Sequence, residues 1–483
     1  MESVDRAVSR ARAAQAEWIA RPLPERLASL SRLARIFTRR RDEVVEAVRA
    51  ETGKPKVEAL AEVLAAVELL HHYARIAPRV LRTVQVGTGF LAGKSAHVVR
   101  EPWGVVGAIT PWNYPFLTPQ DAITSAVTAG NAIVVKPSEF TPRSARIIPG
   151  MSVEAGLPEG LVQVVEGDGT VGAALVAAGV DKVVFTGSSA TGRRVMADAA
   201  GGLTPVLLEL GGNDPAIVLE DADLERAAHG IVFGAFFNAG QTCLSTERVL
   251  VVTDVYDAFL RRVTALAATL RAGEEGGTDV SRLVTPAQRR IVREQLREVR
   301  DAGATLHTGS VPLEEEPRVI SPVVVTGAEE GSALLRHETF GPVLPMIRVQ
   351  DEEEAIREAN GTPYGLFASV WTRDLVRGER VARRLRAGGV SVNDTLTHYA
   401  IPGLPMGGVG DSGFGVRRGE DGLREMTRPR TVLLHRWGMK REFYWFPYSE
   451  RATRWVEALV VLRGNGWIRG LPEALRVLRR RGA

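Results

Sequence analysis

Residues 104–137 read GVVGAITPWNYPFLTPQDAITSAVTAGNAIVVKP. Two short apolar runs, Gly104 to Thr110 and Asn131 to Pro137, flank a stretch of helical spacing that closes on Gly130. Runs this short, bounded by glycine and proline, fit strands buried on both faces better than buried helices. Strand, helix and strand in that order predict parallel pairing through a crossover helix.

The alternation continues outward. LVQVVEG, KVVFTGS, TPVLLELGG and PAIVLED read as strands, and TVGAALVAAG and SATGRRVMADAAG as helices between them. A second alternation begins near Leu224 with AAHGIVFGAFFNAGQTC and RVLVVTD, and runs to GVSVND at 389–394. Upstream, the first 75 residues carry helical periodicity, with stops at Gly53 and Pro55. Thr83 to Pro102 holds two β-like runs around a glycine-rich turn, the pattern of a hairpin. The reading is an α/β protein of about three domains, whose ligands bind beyond the carboxyl ends of parallel strands.

Composition narrows the function. Of 483 residues, 45% are hydrophobic and 24% charged, and no apolar run reaches bilayer length. The N-terminus carries Glu2 and Asp5 and lacks the apolar segment of a secretory signal. The single cysteine cannot form an intrachain disulfide, so the expected location is the cytoplasm. The net charge is +4, but Arg436 to Ala483 alone carries +7, which leaves −3 for the rest. The body therefore offers no basic footprint for nucleic acid. The eight histidines are scattered without metal-ligand spacing.

Several segments could carry chemistry. Gly167 to Gly172 matches G-x-G-x-x-G, but no acidic residue ends the following strand, so a plain turn is the expectation. KPSE, Lys136 to Glu139, ends the strand of the opening stretch. Its carboxylate suits the hydroxyls of an adenosine ribose and repels a 2′-phosphate. FTGSSATG, starting at Phe185, opens a helix whose N–H groups attract phosphate. Cys243, in FNAGQTCLST, is either a small buried apolar residue or a nucleophile.

Together these segments resemble the aldehyde dehydrogenase superfamily over about residues 5–435. The resemblance rests on PWNYP (Pro111 to Pro115), KPSE, FTGS (Phe185 to Ser188), LELGG (Leu208 to Gly212), GQTC (Gly240 to Cys243), ETFGPV (Glu338 to Val343), YGL (Tyr364 to Leu366) and PMGGVGDSGFG (Pro405 to Gly415), in order. It implies a Rossmann-like parallel-sheet cofactor domain over 1–82 and 104–230 and an α/β catalytic domain over 231–396. A β-hairpin bridging or oligomerisation element (83–103 and 397–435) and a basic aromatic extension (436–483) complete the chain.

The resemblance also implies roles. Cys243 adds to the aldehyde carbon, Asn113 and the Cys243 backbone N–H hold the oxyanion, and Glu209 activates water against the thioester. Chemically, such a cysteine needs to be available as thiolate, in a site of backbone donors and positive field. Relatives that transfer the acyl group to coenzyme A lack this glutamate, so hydrolysis to the acid is expected. Glu338 would hold the nicotinamide ribose, with Phe340 and Trp112 beside the ring. Gly187, Ser188 and Gly192 would bound the pyrophosphate loop, and Lys136, Ser138 and Glu139 the adenosine ribose. NAD is the expected cofactor, with NADP as the second choice and no metal. Asn213, Gly410 and Asp411 depart from the lysines common at their positions, which leaves homodimer and homotetramer both open.

Phe233, Phe236 and Phe237 precede Cys243, with no basic residue near Phe237. Apolar aliphatic or aromatic aldehydes are the expected substrates, with a semialdehyde such as succinate semialdehyde as the alternative. The rivals outside the family are a cofactor-independent cysteine hydrolase and a non-catalytic NAD-binding scaffold. In the tail, Leu471, Ala474, Leu475 and Leu478 recur at helical spacing beside Arg476 and Arg479 to Arg481. That pattern suits a helix pair docked on the body or on a partner subunit, or a peripheral contact with a membrane surface.

Overall fold

The computed structural model describes residues 3–89, 91, 93–274, 277–311, 318–437, 440–442 and 444–479. Arg480 and Arg481 of the basic tail lie outside the described residues. Two compact units divide the chain: Met1–Arg82 with Arg100–Arg430, and Thr83–Val99 with Thr431–Ala483.

The first unit opens with four helices, Val4–Ala20, Leu23–Arg39, Arg41–Thr52 and Lys56–Val80. Gly53, at φ 78°, ends the third in the left-handed conformation that glycine adopts without strain. Two sheets follow. The first has the order Gly413–Phe414, Val206–Glu209, Lys182–Thr186, Val105–Ile109, Ala132–Lys136, Val162–Val164. Its strands are parallel except Gly413–Phe414, which runs antiparallel to Val206–Glu209. The crossover helix of the opening stretch is Leu117–Ala129. All of its residues are buried, and Gly130 at φ 102° stops it. Strand order reverses at Val105–Ile109, which opens a crevice between its end and that of Lys182–Thr186.

The second sheet has the order Thr305–Leu306, Val323–Thr326, Val343–Val349, Thr246–Val252, Asp214–Val218, Phe367–Trp371, Gly389–Val392. It is parallel apart from the Thr305–Leu306 edge. Its inner strand Asp214–Val218 falls within 104–230, the stretch the sequence reading groups with the first sheet. Periodicity cannot separate consecutive parallel strands of two sheets. The junction Leu210–Asn213 carries the chain out of one sheet and into the other within four residues. Asp168 caps helix Gly169–Ala177 by accepting the Thr170 N–H at 2.9 Å, so the G-x-G-x-x-G match is a helix-capping turn.

In the second unit Val84–Val86 pairs antiparallel with Lys94–Pro102, with Val84 opposite Val98. Thr427–His435 completes a three-stranded sheet. Helices Glu450–Asn465 and Trp467–Arg479 pack on each other through Ala458, Ala474 and Val477. Among the described residues no helix is long and apolar enough to cross a membrane.

Candidate active site

Four of the candidate segments stand at the carboxyl edge of the first sheet. Pro111 to Asn113 follow Val105–Ile109, Lys136 ends Ala132–Lys136, Gly187 and Ser188 follow Lys182–Thr186, and Glu209 ends Val206–Glu209. Two more precede strands of the second sheet: Cys243 before Thr246–Val252, and Glu338 to Phe340 before Val343–Val349. Trp112, Asn113, Gly187, Ser188, Glu209, Cys243, Glu338 and Phe340 line one cavity of about 430 Å³. Lys136, Ser138, Glu139 and Gly192 do not line it. Lys136 is buried and pairs with Glu139 at 3.2 Å, at the end of the adjoining strand. Ser138 accepts the Phe140 N–H, and Gly192 lies in helix Ser189–Ala200, where a Cβ would come within 2.5 Å of Leu210.

The loop that carries Cys243 is held open by residues far away in sequence. After helix Leu224–Phe236 the chain turns through Asn238 and Ala239, both left-handed at φ 54° and 55°. Each such residue costs on the order of 1 kcal/mol and needs external support. Glu58 supplies part of it by accepting the Asn238 N–H at 3.1 Å. The Asn238 side chain donates to the carbonyls of Gln241 (3.0 Å) and Asn113 (3.2 Å). Asn113 Nδ2 donates to that same Gln241 carbonyl at 2.9 Å. Below them Lys54 is fully buried, its Nζ 2.8 Å from both Glu62 Oε1 and the Asn113 carbonyl. The other Glu62 oxygen accepts the N–H groups of Phe116 and Leu117, at the start of the crossover helix. One hydrogen-bonded block thus fixes Asn113 against the Cys243 loop. Ser188 caps helix Ser189–Ala200 at the cavity wall, and the Gly187 N–H donates to the Glu209 carbonyl at 3.0 Å.

Three carboxyls crowd the thiol. Burial pushes Cys243 well up, and Glu209, Glu338 and Asp214 push it further. The sequence reading calls for a positive field here; Arg417 pulls the thiol the other way. Burial also raises Glu209, to about 7, while Arg417 pulls it down. Both Glu209 oxygens are buried and without a hydrogen-bond partner among the described residues. Glu338, pushed up to about 8 by burial and by Glu247, accepts the Gly212 N–H at 3.0 Å. Gly211 must be glycine here, because a Cβ would lie 2.2 Å from Glu338 Oε2. Buried Glu247 accepts the N–H groups of Thr339 and Phe340 at 2.9 and 3.0 Å, which holds Phe340 left-handed at φ 51°. Phe340 then meets Trp112 edge to face, with centroids 5.4 Å apart.

A thiol, a buried amide donor and a carboxyl without a hydrogen-bond partner among the described residues thus stand around one cavity. The sequence profile of the Aldehyde dehydrogenase family matches residues 1–432. The chain belongs to the aldehyde dehydrogenase family. It is 39% identical over 449 residues to the 4,4'-diapolycopene aldehyde oxidase of Methylomonas sp, covering 92% of this chain and 84% of that one. A Mycolicibacterium smegmatis protein, provisionally named succinate-semialdehyde dehydrogenase (NADP+), is 37% identical over 90% of this chain and 85% of its own. Among solved structures, betaine aldehyde dehydrogenase of Staphylococcus aureus in complex with NAD+ matches at TM-score 0.86 and 28% identity, covering 92% of this chain and 89% of that one.

This member of the family builds its cavity with residues that its motifs do not announce. Arg417 lines the cavity, buried, and donates to Thr186 Oγ1 at 3.0 Å. It and Arg418 share Asp121, at 3.2 and 2.9 Å. Two guanidiniums on one carboxylate leave one positive charge for the cavity to balance, and Glu209 is the carboxyl beside it. The sequence signal was the one charged residue, Asp121, of the otherwise uncharged helix 117–129, answered by a pair of arginines after the late glycine motif. Of the three phenylalanines, Phe233 and Phe237 line the cavity and Phe236 is buried in the core.

Proposed function

We propose that this protein oxidises an apolar aldehyde to its carboxylic acid with NAD, through a covalent intermediate on Cys243. The observation that carries the reading is the meeting of Cys243, Asn113 and Glu209, from three separate segments, on one cavity. The unpartnered Glu209 carboxyl, near neutrality, is the group that can take the thiol proton. Sγ then bonds to the carbonyl carbon, and the carbonyl oxygen becomes an alkoxide. One N–H of the Asn113 amide is committed to Gln241, and its second N–H serves the alkoxide together with the Cys243 backbone N–H. A dinucleotide held by Glu338 and by the start of helix Ser189–Ala200 would supply the acceptor for the hydride that leaves this carbon. What remains on the protein is a thioester. Glu209, having passed the thiol proton to solvent, takes a proton from water, hydroxide oxygen bonds to the acyl carbon, and the C–S bond breaks to release the acid and the Cys243 thiolate, which takes the proton back from Glu209.

The groups present fit a dinucleotide. Glu338 is braced by Gly212 and faces a glycine that leaves room for it, and the capped start of helix Ser189–Ala200 suits a pyrophosphate. Lys136 and Glu139 suit a ribose with free hydroxyls, which favours NAD over NADP. Phe233, Phe237 and Ile291 give the cavity its apolar wall. A semialdehyde is the second reading, favoured by the Mycolicibacterium relative and by Arg417 at the cavity; the sharing of Arg417 with Asp121 weighs against it.

An aldehyde panel read at the NADH absorbance, with NAD and NADP, tests the proposal on the wild type and on Cys243→Ala. Hexanal should be used with NAD, and the variant should oxidise nothing while still binding dinucleotide. Far higher specificity for succinate semialdehyde would select the second reading. Unimpaired oxidation by Cys243→Ala would end both.

A further inference from the structure

The helix Trp467–Arg479 turns one apolar face inward and another outward. Gly470, Ala474 and Val477 are buried. Trp467, Ile468, Leu471 and Leu475 are exposed on the other side, Ile468 at 91%. An exposed stripe of this size on one helix needs an occupant. Spacing of 3.6 residues per turn puts Arg469, Arg476 and Arg479, all exposed, along one flank of that stripe. The concentration is local. Of the 30 large apolar side chains exposed among the described residues, 13 fall between Leu433 and Leu475. Arg436 to Ala483, which overlaps this region, carries a net +7 in a chain whose remainder sums to −3.

We propose that this helix lies on an anionic phospholipid membrane, with the stripe sunk to the level of the acyl boundary and the arginines at the phosphates. The charge selects this occupant. Long guanidinium stems bury their methylenes and reach headgroups from the edge of an inserted face. A second copy of the same face would instead bring two rows of arginines together, with Glu473 the one carboxylate each described helix offers against three arginines. A neutral apolar partner would leave the arginines unused. The inference is independent of the reaction proposed for Cys243. It concerns where the protein stands, and its readout needs no substrate.

Flotation of the full-length protein with vesicles tests it, using phosphatidylcholine alone or mixed with phosphatidylglycerol. Recovery on the mixed vesicles should exceed that on phosphatidylcholine by at least about tenfold and fall at high salt. The double variant Ile468→Glu/Leu471→Glu should lose at least about tenfold of that binding. A second variant, Arg469→Glu/Arg476→Glu, should lose a similar factor while keeping the apolar stripe. Unchanged circular dichroism and gel-filtration elution verify that each variant is folded. Equal recovery from the two vesicle types, or wild-type binding by both variants, overturns the proposal. So does a concentration-dependent dimer that Ile468→Glu/Leu471→Glu abolishes without any vesicle binding by the wild type, since the face would then belong to a second copy.

Discussion

Replacing Asn113 by alanine should slow aldehyde oxidation by about 10²- to 10³-fold, the cost of one oxyanion donor, or about 2.7–4 kcal/mol on the barrier. The structure separates this effect from a loss of stability. Asn113 Nδ2 gives one N–H to the Gln241 carbonyl at 2.9 Å, but that carbonyl also accepts from Asn238 Nδ2 at 3.0 Å and stays paired after truncation. Asn113 Oδ1 has no partner to orphan. The Asn113 backbone carbonyl keeps its bonds to Lys54 and Asn238, which do not involve the side chain. The folding cost should therefore be close to one net hydrogen bond, about 1 kcal/mol, far less than the cost to the barrier. Single-turnover NADH formation at saturating dinucleotide measures the acylation step, and dinucleotide fluorescence quenching verifies that the cofactor site is intact. A fall of less than about tenfold in a folded, dinucleotide-binding variant would refute the assignment of the oxyanion to this amide.

Three further outcomes follow from the same geometry. Because burial raises Glu209 to about 7 and the base must be ionised, steady-state turnover should climb with pH through about 7. Arg417→Met removes the cation that pulls Glu209 down, so the same limb should move to higher pH; an unmoved limb would show that the Arg417 charge is spent on Asp121 alone. Gly211→Ala would place a Cβ 2.2 Å from Glu338 Oε2 and drive the carboxylate from the Gly212 N–H. Loss of one charge-assisted hydrogen bond to the nicotinamide ribose should weaken dinucleotide binding about ten- to a hundredfold, measured by titration calorimetry.

The opening stretch was legible because both its strands and its helix are buried all round, so apolar runs and glycine stops marked them directly. The thiol, the amide and the carboxyl at the cavity were legible as motifs because each lies at a strand end or in a short loop before a strand. What supports them was not. Glu58, Glu62 and Lys54 read as ordinary charges around a helix start, yet Glu58 serves Asn238, 180 residues away. Arg418 and Asp121 are 297 residues apart. A buried ion pair has no local signature when its halves sit on different elements. The crowding of carboxyls at Cys243 was not legible for a related reason. Each carboxyl was placed by its own motif, and only the fold brings Glu209, Glu338 and Asp214 to the same sulfur. Asp214–Val218 was grouped with its sequence neighbours because strand spacing does not reveal which sheet receives it.

The account rests on a thioester at Cys243 that Glu209 hydrolyses, and the variant Glu209→Gln tests it most directly. Mixed with NAD and hexanal, this variant should release one NADH per site and then stall, more slowly than the wild type forms its first NADH because Glu209 no longer takes the thiol proton, and mass spectrometry should find the acyl group on Cys243. Turnover at the wild-type rate without a burst, or an acyl group on any other residue, would contradict it.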